Sequence, residues 1–207
     1  MKKYVLVLLS IVMVLGFVAC KANNNKTDDE DKKDASISVT PAEIERKIAD
    51  AIGKDNDLCD IDVQEDYLQN NFDLDLSKIE SYVAKQNSIS SVHPDTVIIL
   101  KVKDGYADTA VNALNTSFAQ MVNYIRQYPF GTAKVLNGRI YQCGNYVMYI
   151  LAGACYDGED SEAENKLAVS EYAKIDGVIE SILGTLPENS AAVPENHGST
   201  GGLLGGN

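Results

Sequence analysis

Histidine is almost missing from this sequence. Two occur in 207 residues: His93, in a stretch that can fold, and His197, in a glycine-rich end. A Ser-His-Asp or Cys-His set needs an imidazole to carry its proton. Any such set must therefore use His93, which precedes Pro94 in an expected solvent-exposed loop. Cys59 and Cys143 can be imagined as its nucleophile, but nothing in the spacing brings either one to it. There is no CxxC pair for zinc. HExxH, GxSxG and the glycine-rich phosphate loop are missing too. These absences lead us to expect no enzyme: no catalytic residue, no metal ligand and no cofactor site.

Positive charge is also scarce. Eighteen Lys and Arg face thirty Asp and Glu, for a formal charge of −12. Nucleic acid and anionic lipid heads repel a chain this acidic, so no nucleic-acid partner is expected. Cysteine is sparse as well, at Cys20, Cys59, Cys143 and Cys155. The last three form no disulfide framework, and an odd number cannot all pair among themselves. We read them as small buried hydrophobes, with one disulfide as the alternative.

The clearest positive signal lies in residues 1–20. Lys2 and Lys3 precede an uncharged run from Tyr4 to Val18, in which Ser10 is the one strongly polar residue. A spanning helix needs about 20 apolar residues. This run is shorter and a polar stretch follows it at once, the pattern of a secretion signal. Small Ala19 suits a signal peptidase, and Cys20 directly after it suits lipidation of its thiol. Phe17 stands where the lipoprotein motif usually has Leu. The expectation is a signal peptide at 1–19 and a lipid-bearing Cys20, palmitate included, which fastens the chain to the outer face of the cell membrane. One acyl chain anchors only marginally and two anchor stably, and a diacylglycerol thioether supplies both.

Residues 20–38 are charge-rich and cannot bury enough apolar surface to offset the entropy of ordering, so they read as a disordered acidic tether. Residues 184–207, rich in Gly, Pro, Asn and Ser, read as a loose tail. Between them, 39–183 is the size of one domain. Thr40-Pro41-Ala42-Glu43 carries a capping box with Pro in the first turn, and Gly53 stops that helix. A helical turn is expected near 65–71, and a strand over 79–88 by a narrow margin over a helix. TVIILKVK at 96–103 is a strand. Ala107, Ala110, Val111, Leu114, Phe118, Met121, Val122 and Ile125 form a helical stripe over 107–128. Residues 139–143 and 146–151 make a hairpin on Gly144-Asn145, and an acid-rich helix covers 161–182. The order favours an α+β domain: an antiparallel sheet of three to four strands covered by helices in two layers. A face left open to water would be a binding surface, with Tyr141, Tyr146 and Tyr149 supplying aromatic area.

Two polar features invite other readings. Asp55, Asp57, Asp60, Asp62, Glu65 and Asp66 suggest calcium. An EF-hand loop counted from Asp55 places Cys59 at position 5 and Asp60 where glycine belongs, so the stretch reads as a solvated connection. Asp157 to Glu162 reads as a turn that caps the last helix with negative charge.

The strand at 94–104, the helix ending in Tyr128-Pro129-Phe130 and the hairpin at Gly144-Asn145-Tyr146-Val147 carry a resemblance over 68–154. The segment resembles the domain-of-unknown-function family four-three-five-eight of clostridial Gram-positive lipoproteins. That resemblance implies no activity and no catalytic residues. The expected function is an extracytoplasmic lipoprotein that binds an envelope protein or cell-wall ligand without turnover. Its alternatives are a small solute-capturing lipoprotein serving a transporter and an envelope hydrolase.

Overall fold

The computed structural model describes residues 38–89, 93–129 and 131–195. The signal segment, Cys20 and most of the expected tether lie outside them. The order is α1 (Pro41–Ile52), β1 (Ile61–Asp62), α2 (Glu65–Asn71), β2 (Ile79–Gln86), β3 (Thr96–Val102), α3 (Ala107–Gln127), α4 (Thr132–Leu136), β4 (Arg139–Cys143), β5 (Tyr146–Leu151) and α5 (Ser161–Leu183). All pairings in the sheet are antiparallel, in the order β1-β2-β3-β5-β4. The α+β antiparallel class is as expected, with a fifth, two-residue strand added.

The layer count differs from the expectation. Alternate residues along β3 enter opposite cores, because successive strand side chains point to opposite faces. Ile98, Leu100 and Val102 pack with Val147, Tyr149 and Leu151 under Leu114, Phe118 and Val122 of α3. Val97 and Ile99 pack with Met148 and Ile150 under Ile44 and Ile48 of α1 and Tyr172, Ile175 and Ile179 of α5. Helices therefore cover both faces, making three layers. That accounts for the unbroken apolar run of β3, since a strand buried on both sides has no reason to alternate. It also removes the open face that the sequence left possible: Tyr141, Tyr146 and Tyr149 are core residues.

Local chemistry sets the ends of the elements. The Thr40 and Glu43 side chains close the capping box of α1. Asp160 accepts hydrogen bonds from the Glu162 and Ala163 amides and caps α5. Gly144, at φ +55°, makes the hairpin turn in a conformation that disfavours other residues. Arg139 grips the Asp176 carboxylate with two hydrogen bonds of 3.0 and 2.9 Å, and the Tyr141 hydroxyl donates to it at 2.7 Å. This network pins α5 to the edge strand β4.

Part of the expected loose tail is built into the fold. The Ser190 amide donates to the Ile140 carbonyl, and Asn189 accepts from the Ile140 amide. Arg126 donates to the carbonyls of Pro194 and Glu195. Residues 189–190 thus satisfy the outer edge of β4, which would otherwise offer unpaired backbone groups. Sequence composition could not show this, because the contacts are made by backbone groups and by the scattered side chains of Asn115, Arg126, Asn189 and Ser190. Residues 196–207 lie outside the described ones.

Candidate functional site

Antiparallel pairing of β3 with β5 sets Thr96 opposite Leu151. The residues just before β3 must then meet those just after β5. His93 and Asp95 arrive from one side and Cys155 from the other. Gly153 lets the second segment turn against α5. Its φ is +113°, and a Cβ there would stand 2.8 Å from Glu171 Cβ. Lys134, on the short helix α4, reaches the same point from above.

Lys134 Nζ lies 2.8 Å from Asp95 Oδ1 and 3.1 Å from Cys155 Sγ. Cys155 Sγ lies 3.5 Å from His93 Nδ1. The ion pair is buried, with the Asp95 side chain 0% and the Lys134 side chain 4% exposed. Asp95 Oδ2 has no hydrogen-bond partner. Burial pushes the Asp95 carboxyl up, outweighing the pull of the Lys134 ammonium. Cys155 and His93 are half-buried. Reactive cysteines are partly exposed and have an ammonium or imidazole group beside the sulfur, as Cys155 has.

The site corrects the sequence reading of His93. The sequence suggests a solvated loop residue, with Cys59 and Cys143 as its conceivable partners. The sulfur beside it is that of Cys155, which spacing alone did not single out. Cys59 is buried and unpaired, with its thiol pushed up by burial first and then by the charge of Asp95. Cys143 is buried at the end of β4. The expectation of a small buried hydrophobe suits Cys59, whereas Cys143 is disulfide-bonded and Cys155 is only half-buried.

His93, Asp95 and Cys155 each offer a ligand-type atom, and these atoms lie within 4.8 Å of one another. The donor types suit a transition metal. However, the Lys134 ammonium already holds two of the three ligands from a position a cation would need. A divalent ion there would meet that charge at close range in a low-dielectric setting. The arrangement fits a thiol with a proton partner better than a metal cage. Three of the acids of 55–66 accept from separate backbone amides, Asp57 from Cys59, Asp60 from Ser88 and Asp66 from Tyr67, and Glu65 stands with Asp66 in the first turn of α2. Among the described residues none of them joins a three-ligand group. A shallow hollow of about 620 Å³ lies by β2, lined by Val63, Gln64, Glu65, Asp66, Gln69 and Tyr82. It does not touch the thiol site.

Strand order, the buried β3 and the hairpin at 139–151 all fall within one matched segment. Residues 55–152 match the model of the family DUF4358, a domain of unknown function. The DUF4358 segment contains His93, Asp95 and Lys134 and ends three residues before Cys155. No curated protein and no solved structure matches the chain.

Proposed function

We propose that the chain is an extracytoplasmic lipoprotein, cut before Cys20 and held by lipid on that cysteine. Its DUF4358 domain stands off the membrane on an acidic tether and binds an envelope protein or a cell-wall ligand. The observation that carries the anchor is the run from Lys2 through the uncharged Tyr4 to Val18 into Ala19-Cys20. Among the described residues no helix is long and apolar enough to cross a membrane. Aromatic contact area supports the binding role. The hairpin tyrosines are core, but Tyr124 and Tyr128 at the end of α3 stack at 5.1 Å with both rings partly in solvent. Metabolic labelling with a palmitate analogue should mark the wild type and leave Cys20→Ala unmarked and released from membranes. Equal labelling of both would end the anchor reading. Cross-linking on intact cells should then trap a reproducible partner, and Tyr124→Ala/Tyr128→Ala should weaken the capture.

A second reading is an envelope hydrolase, favoured by the 3.5 Å approach of His93 to Cys155. It requires that Cys155→Ala and His93→Ala each abolish release of an amide- or ester-linked product. Unchanged release in both variants removes it.

A further inference from the structure

Cys155 has three features of a working thiol at once. It is partly open to solvent, it accepts a hydrogen bond from a fixed ammonium, and it stands beside an imidazole able to share its proton. Acyl transfer would ask for more, namely amide donors free to hold an oxyanion. The amide of Ala154, next to the thiol, already donates to Glu171 Oε2. Attack on a disulfide needs no such donors. It needs a thiolate, room for a second sulfur, and a proton for the one that leaves.

The charges around the opening narrow the class of disulfide. The exposed loop directly after Cys155 carries Asp157, Glu159 and Asp160. One oxygen of buried Asp95 has no donor. The whole chain is strongly acidic. The one cation touching the sulfur, Lys134, is already neutralised by Asp95. Such a field concentrates positively charged solutes and repels anions.

We propose that Cys155 is a nucleophilic thiol that exchanges with small disulfides carrying ammonium groups, with His93 passing the proton between the two sulfurs. The Cys155 proton moves to His93, and the sulfur attacks one sulfur of the substrate. A new S–S bond forms as the old one breaks. The departing thiolate leaves with the bonding pair and takes the proton from His93. One thiol and one disulfide become one mixed disulfide and one new thiol, so no further oxidant is required. A second small thiol reverses the step and frees Cys155. None of this depends on the lipid anchor.

The test uses the full chain in detergent with cystamine as probe, and adducts are mapped to each cysteine by mass spectrometry. Cys155 should react at least about tenfold faster in the native chain than in the urea-unfolded chain, since positioned proton transfer and a prearranged cation are lost on unfolding. His93→Gln should fold normally by circular dichroism and lose most of that advantage. Dithiodiglycolate, of opposite charge, should react several-fold more slowly than cystamine at low salt, and the gap should close as salt rises. A native rate at or below the unfolded rate overturns the proposal. So does an unchanged rate in a folded His93→Gln chain, or a preference for the anionic disulfide.

Discussion

Cys59 and Cys155 border the same buried ion pair, and the surroundings of the two thiols differ in every other respect. Cys59 precedes β1 and is 7% exposed. It feels Asp95 as an added negative charge on top of its burial, and both hold its proton on. Cys155 follows β5, is half-buried, and meets the positive end of the pair directly through Lys134. One dipole of charge thus presents opposite poles to two sulfurs. An ion pair does not make nearby thiols reactive in general, because orientation and access decide which one can act.

The strongest way to break this comparison is to remove the shared pair. Lys134→Met leaves the Asp95 carboxylate buried and unpaired, which costs about 3–5 kcal/mol. Urea unfolding should show that loss, and Lys134→Met/Asp95→Leu should regain most of it. Next in size is the swap of each sulfur for oxygen. Cys59→Ser sets a hydroxyl in an apolar cluster and should cost about 2 kcal/mol. Cys155→Ser, at a partly wet site with a donor in place, should stay within about 0.5 kcal/mol. If both variants lose the same stability, the two environments are not distinct in the way described.

Smaller effects concern the cover over Cys59. Asn87 donates to the Leu58 carbonyl and accepts from the Ile89 amide. Asn87→Ala should cost about 1 kcal/mol and raise alkylation of Cys59 several-fold while leaving Cys155 unchanged. The smallest effect is at Asp60, whose side chain accepts from the Ser88 amide at 2.6 Å and hydroxyl at 2.7 Å. Those bonds hold its carboxyl below the usual range. A group depressed in the folded state stabilises above its ordinary value and loses that contribution as pH falls through the folded one. Thermal unfolding should therefore weaken between pH 5 and pH 2 less steeply in Asp60→Asn than in the wild type.

What could be read from the sequence was whatever local chemistry writes plainly. The capping box at Thr40 and Glu43, the α3 stripe and the Gly144-Asn145 hairpin each rest on residues within one element, and all three stand as expected. Some features were not legible because they depend on distant partners. The helix α4 has only five residues and is held by Tyr172, whose hydroxyl donates to the Lys134 carbonyl. The third layer follows from which helix packs where, which composition does not encode. Cys155 and His93 are 62 residues apart. A usable signal did exist: once β5 is paired antiparallel with β3, the residues flanking Thr96 and Leu151 must converge. That convergence carries Cys155 to His93.

The most direct test of the two-thiol account is competitive alkylation of the native chain with neutral iodoacetamide, with each cysteine quantified over time and again in denaturant. The account predicts rapid modification of Cys155, protection of Cys59, and loss of the difference on unfolding. Equal native rates at the two sulfurs, or faster reaction at Cys59, would contradict it.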